Sequence, residues 1–227
     1  MSVGFSVFEN EIQRFSNPTI VISNWYDDKL FRQPTHEEKL AARAAHGIKD
    51  DRPVIVTLGN CAPVKNHGAV FRAQQILLRT RPDWFYLHAG GEDAQQTELT
   101  LARELGVAGR CAFLGYAGDP ISVLWAANVF VMPSFREGLG IAAIEAAACG
   151  LPLVVTDVPG LRDLKATIPD GFWVQPEPAA IADAIETAYL RFPSGSAGNA
   201  LSVRTVFGIE TGAKAYYDLY NAHPSSV

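Results

Sequence analysis

The sequence predicts an α/β fold: a Rossmann-like doubly wound parallel sheet of about six strands, covered by helices on both faces. Two observations carry this. From residue 53 onward, short apolar runs recur that are continuous rather than alternating, as strands buried on both faces require. Helical stretches separate these runs one by one, the order that joins parallel neighbours.

The elements follow in turn. Phe5, Phe8, Ile12 and Phe15 are spaced three or four apart with Glu9, Glu11 and Arg14 between them, which predicts a short amphipathic helix over 5–15. Asn17-Pro18 stops it, Thr19 to Ser23 reads as a buried strand, and Asn24 to Arg32 as a polar and aromatic connector. Pro34-Thr35, with Glu37 and Glu38 in the first turn and Gly47 at the end, brackets a helix at about 35–46. The regular part places strands at 54–58, 84–89, 111–114, 128–132, 152–156 and 172–174. Helices fall between or after them, near 67–80, 93–105, 119–126, 139–149 and 178–191. Pro193 to Ser196 is a loop, after which helical spacing resumes to about Asn221.

Composition narrows the function classes. With 227 residues, 24 acidic and 19 basic, the net charge is -5, and only six lysines are present, so no basic stripe is offered to a nucleic acid. Cys61, Cys111 and Cys149 are widely spaced without a CxxC, which fits neither a disulfide framework nor a zinc site and reads as reduced thiols. No run approaches the roughly 18 apolar residues of a spanning helix, and Met1-Ser2-Val3-Gly4 lacks a basic start followed by an apolar block. The expected compartment is the cytoplasm.

In an open α/β sheet ligands bind beyond the carboxyl ends of the strands, so four strand-to-helix loops matter most. Gly59 to Gly68 resembles a phosphate loop but lacks the second Gly and the Ser/Thr of a Walker A, and no GxGxxG follows the strand. Lys65, just before a helix start, could meet a diphosphate, or could be a solvated turn lysine. Gly90-Gly91 after His88 allow close backbone approach, or form a plain turn; His88 itself reads as a packed strand histidine. Gly115-Tyr116 could wall a flat base or belong to the core. The fourth loop, Pro133 to Gly140, runs into a helix made almost wholly of Ala and Ile, in which Glu145 is the only charge. Glu137 precedes the helix and Glu145 is expected two turns into it, so both could face one cleft, or Glu145 could face solvent.

These residues resemble a known family. Gly59 with Lys65-Asn66-His67, Phe113-Leu114-Gly115, Val131-Met132-Pro133-Ser134, Glu137-Gly138-Leu139-Gly140, Glu145-Ala146 and Gly150-Leu151-Pro152 come in the order seen in retaining GT-B glycosyltransferases of family GT4. The likeness covers about residues 50–220 and is to the C-terminal, donor-binding half of such an enzyme. It implies a glycosyltransferase, of hexosyltransferase type, that moves a sugar from a nucleotide diphosphate sugar to an acceptor with retention. It assigns Glu137 and Lys65 to catalysis, Glu137 beside the transferred sugar and Lys65 on the diphosphate. Gly59, Asn60, Gly90, Gly91, Tyr116, Gly138, Leu139, Gly140 and Glu145 are expected to bind the donor, with Glu145 on the ribose hydroxyls. No metal and no cofactor are expected, and no Asp-x-Asp is present to grip a divalent ion. Asn60 and Asn128 stand where many members carry Arg and Asp.

By the same resemblance residues 1–48 are a remnant of an N-terminal domain with hinge and linker helix, and 49–227 the nucleotide-sugar-binding domain with its C-terminal helices. A complete enzyme of this kind has the acceptor site on the other domain, so the chain alone is expected to be inactive, its partner being the missing N-terminal domain or a partner subunit. The alternative is a non-catalytic nucleotide-sugar-binding subunit of a split transferase; a nucleotide-sugar epimerase fits the Glu-x7-Glu block less well.

Overall fold

The computed structural model describes residues 2–4, 19–48 and 51–222. The helix expected over 5–15 lies outside them. Strand β1 (Ser2–Gly4), which the sequence pattern does not reveal, pairs in parallel with β2 (Thr19–Val21), Val3 opposite Ile20. Helix α1 (His36–Ala45) opens on a capping box: Glu38 N donates to Thr35 Oγ1 at 3.2 Å, and Thr35 N to Glu38 Oε2 at 2.8 Å.

The body is a six-stranded, wholly parallel sheet, as the continuous apolar runs predict. Its strands are β3 (Val54–Leu58), β4 (Phe85–Ala89), β5 (Cys111–Phe113), β6 (Val129–Met132), β7 (Leu153–Thr156) and β8 (Phe172–Val174). Their spatial order is β5-β4-β3-β6-β7-β8, the doubly wound order. Between and after them run α2 (His67–Thr80), α3 (Thr97–Glu104), α4 (Pro120–Ala126), α5 (Ile141–Ala148), α6 (Pro178–Arg191), α7 (Ala197–Phe207) and α8 (Ile209–Ala222).

Alternate residues of each strand enter opposite layers of the core. Val54, Val56, Phe130, Met132, Leu153 and Val155 pack on one side of the sheet. Ile55, Val129, Val131 and Val154 pack on the other, with Phe71 and Leu77 of α2 and Ile181 and Ile185 of α6. Burying each such side chain contributes about 1.5–3 kcal/mol, so both layers are needed to fix the strand ends that carry the loops.

Three helix boundaries differ from expectation, each for a local reason. The helix expected from 93 starts only at Thr97, because Asp93 Oδ1 accepts from Thr97 N at 2.8 Å and Gln96 takes a left-handed φ of 51°. The helix expected from 139 starts at Ile141, behind Gly140 at φ 71°. The C-terminal helical stretch breaks at Gly208, whose extended backbone (φ -67°, ψ 157°) pairs with Tyr26. Tyr26 N donates to Phe207 O at 3.0 Å and its ring is buried, so the connector after β2 is fastened to the last two helices.

Candidate functional site

The sheet fixes where a ligand can sit. From β3 the chain winds through β4 to β5 at one edge, then returns to β6 and winds through β7 to β8 at the other. Loops after β3 and β6 therefore diverge and leave a crevice between them.

Two contacts hold these loops together. Phe135 N donates to Val64 O at 2.8 Å, and Asn66 Nδ2 to Pro133 O at 3.1 Å. The 3-10 turn Pro63–Lys65 raises Lys65 toward the crevice, where its Nζ lies 2.7 Å from Glu137 Oε1. The same oxygen accepts from Ser134 Oγ at 2.6 Å. Ser134 is buried, and its own carbonyl accepts from Thr156 Oγ1 at 2.5 Å. Glu137 is thus oriented from two sides, one charged and one neutral, and its side chain is only 10% exposed.

A cavity of about 400 Å³ opens here, lined by Gly59, Lys65, Glu137, Gly138, Leu139 and Gly140. Ile22 and Asn24, from the connector after β2, close another side. Helix α5 begins at the cavity without a side-chain cap, so its first-turn N-H dipoles point where an anion would lie. Gly160 packs so closely on the Glu137 and Gly138 carbonyl oxygens that a Cβ there would collide with both, which fixes the path of the Glu137-Gly138 backbone.

The other expected site residues fall beside this cavity. Asn60 Oδ1 accepts from Gly91 N at 2.9 Å, Cys61 N donates to Gly91 O at 2.8 Å, and Gly90 N to Gly115 O at 2.8 Å. These bonds stitch the loops after β3, β4 and β5 edge to edge, with the 82% exposed Tyr116 over Gly91. A Cβ at Gly91 would strike the Tyr116 ring, and one at Gly90 would strike the Gly59 carbonyl. Glu145 lies one turn beyond Ile141 and Ala142, which line the cavity, on the same helical face. It is half-buried with no ionic partner among the described residues, and burial pushes its carboxyl up to about 7. Asn128 is elsewhere: its Oδ1 accepts from Val54 N at 3.0 Å, at the amino ends of β3 and β6, so it contacts no ligand in the crevice.

Sequence inspection missed Ser134, Ile22 and Asn24 as site residues. Ser134 was readable only as part of a motif, and nothing in a linear pattern brings Ile22 to a loop more than a hundred residues away. It also treated Cys61 and His88 separately, whereas the fold assembles them with His67 and Glu98 around the β3 loop. His88 is fully buried in β4, its Nδ1 2.9 Å from Thr57 Oγ1 and its Nε2 3.4 Å from Cys61 Sγ. Burial and the neighbouring His67 push it down to about 4.

Comparison with known proteins agrees with this architecture. The chain is 36% identical over 149 residues to an uncharacterized glycosyltransferase of Methanocaldococcus jannaschii, covering 64% of this chain and 38% of that protein. It spans well under half the length of the curated relatives it matches, 42% and 31% in two further cases. Anabaena HepE, solved in complex with UDP and glucose, superposes with a TM-score of 0.83 at 20% identity, over 97% of this chain and 62% of that one. The C-terminal domain of a glycosyl transferase group 1 protein from Francisella tularensis superposes with a TM-score of 0.62 at 20% identity, over 87% of this chain and 97% of that domain. Among the described residues no helix is long and apolar enough to cross a membrane. The family model for glycosyl transferases group 1 matches residues 38–191, and the chain belongs to that family.

Proposed function

We propose that this chain is the donor-binding half of a retaining glycosyltransferase, of hexosyltransferase type, which transfers a sugar from a nucleotide diphosphate sugar to an acceptor. The observation that carries the reading is the Lys65–Glu137 pair at the mouth of the crevice, beside the start of α5. The structural likeness to a C-terminal domain of the same family, over 87% of this chain and 97% of that domain, supports the assignment to that half.

The roles follow from charge and position. The donor diphosphate lies against the Lys65 ammonium and the first-turn N-H groups of α5, and competes with Glu137 for Lys65. As the bond between sugar and diphosphate breaks, negative charge grows on the leaving oxygen, and these fixed positive groups stabilise it there. Glu137, held by Ser134, faces the transferred sugar and favours the positive charge that develops at its anomeric carbon. Glu145, ionised, accepts from the ribose hydroxyls, and the Gly59–Asn60, Gly90–Gly91 and Tyr116 edge receives the base. Lys65 and the helix start supply the positive potential at the diphosphate, so the reaction needs no bound divalent ion or cofactor. The acceptor side comes from an N-terminal domain or partner subunit, and without it the chain transfers nothing.

Titration calorimetry of the chain with UDP, GDP and ADP, with no metal added, tests the donor site. Binding of at least one at millimolar concentration or below is expected, and absence of heat for all three overturns the reading. Transfer to an acceptor panel is expected only when an N-terminal domain from the same source is added. Robust transfer by the chain alone would sink the half-enzyme assignment.

A further inference from the structure

Around the β3 loop, four side chains with ligand chemistry converge from four elements. They are Cys61 from the loop after β3, His67 at the start of α2, His88 in β4 and Glu98 in the first turn of α3. One donor atom from each lies within 4.8 Å of the other three. Two of the separations are 3.4 Å, Cys61 Sγ to His88 Nε2, and 2.9 Å, His67 Nδ1 to Glu98 Oε1. A tetrahedral zinc ion with bonds of about 2.0–2.3 Å needs donors roughly 3.3–3.8 Å apart, so movements of about 1 Å are enough to close the site.

We propose that Cys61, His67, His88 and Glu98 bind one zinc(II) ion, which clamps the loop bearing Lys65 to α2, β4 and α3. The donor set selects zinc: one thiolate, two imidazoles and one carboxylate are four mixed ligands suited to a tetrahedral ion of borderline softness. With the Cys61 thiol giving up its proton to solvent, a dication, a thiolate, a carboxylate and two neutral imidazoles sum to zero charge. A half-buried position tolerates that neutral assembly.

The surroundings are those of a metal ligand shell. His88 keeps Nδ1 on Thr57 Oγ1, which is itself 2.5 Å from the buried Tyr86 hydroxyl, and so turns Nε2 toward the cluster. An outer partner of this kind fixes the tautomer and ring orientation of a metal-binding histidine. His67 and Glu98 side chains are 3% and 12% exposed, and both face an opening of about 260 Å³ that also touches Asp93, a route by which an ion enters from solvent. The set is distinct from Lys65, Glu137 and the α5 start, and the inference holds whether or not those groups bind a nucleotide.

Cobalt(II) is the spectroscopic probe. The whole chain, treated with a chelator and dialysed, is titrated with Co²⁺ and then with Zn²⁺. One equivalent of Co²⁺ is expected to give a thiolate-to-cobalt charge-transfer band with tetrahedral d–d bands, all displaced by Zn²⁺. Cys61→Ser should abolish the charge-transfer band, and Glu98→Gln and His67→Gln should each weaken Zn²⁺ affinity at least about 10-fold. Thr57→Val, which leaves all four ligands in place, should weaken it roughly 10- to 100-fold. Lys65→Ala should bind Co²⁺ as the parent does, which separates this site from the donor site. Circular dichroism confirms that each variant is folded. A folded parent chain without the charge-transfer band, or a band that survives Cys61→Ser and therefore arises at Cys111 or Cys149, overturns the proposal.

Discussion

Lys65 Nζ lies 2.7 Å from Glu137 Oε1 across 72 residues of chain, joining the loops that follow the two central strands of the sheet. The pair exists because β3 and β6 are hydrogen-bonded neighbours, Ile55 opposite Val129, although two strands and three α-helices lie between them in sequence. An ammonium that already shares a carboxylate needs little rearrangement to share a phosphate, so its electrostatic contribution is largely organised beforehand.

Lys65→Ala should therefore weaken UDP by about 1.5–3 kcal/mol while leaving uridine nearly unchanged, since only the diphosphate carries charge. Part of that loss comes from Glu137, left without its cation and facing the phosphates. Adding Glu137→Gln to Lys65→Ala should recover some UDP affinity. Calorimetry on the single and double variants checks this, and an equal loss for uridine and UDP would remove Lys65 from the phosphate site.

Glu145 gives a pH signature. Its carboxyl is raised from 4.5 to about 7 by burial, so between those values the folded chain holds a proton that the unfolded chain has released. Its stabilising contribution is whole below the lower value and is lost as pH rises through the upper one. Glu145→Gln cannot ionise, and should match the parent at pH 4 and exceed it at pH 8 by about 1–3 kcal/mol in urea unfolding. If Glu145 accepts from ribose, the same variant should bind both uridine and UDP less well. Higher stability with unchanged uridine affinity would assign Glu145 to the fold alone.

Gly160 has a left-handed φ of 87°, and a Cβ would meet the Glu137 and Gly138 carbonyls. Gly160→Ala should cost about 1–3 kcal/mol and lower UDP affinity through displacement of the Glu137 loop. Gly118→Ala, where a Cβ meets nothing within 4 Å, serves as the control and should stay within about 0.5 kcal/mol of the parent. Denaturant midpoints at constant slope, paired with UDP calorimetry, would show whether the two losses travel together.

The linear sequence determined the sheet class, the six strands and most helix limits, because those depend on local periodicity. Val54–Leu58, His67–Thr80 and Pro178–Arg191 are bounded within their own residues by apolar runs, turn residues and a proline at a helix start. The Glu137 to Glu145 block was legible for the same reason, as a glycine-rich turn entering an Ala-rich helix. Only the tertiary structure decided which loops meet. Strand order brings Lys65 to Glu137, sends Asn128 to the far end of the sheet, and sets Ile22 into the cavity wall. It also gathers Cys61, His67, His88 and Glu98, which no spacing rule connects, since strand neighbours are chosen by burial of both sheet faces and not by proximity along the chain.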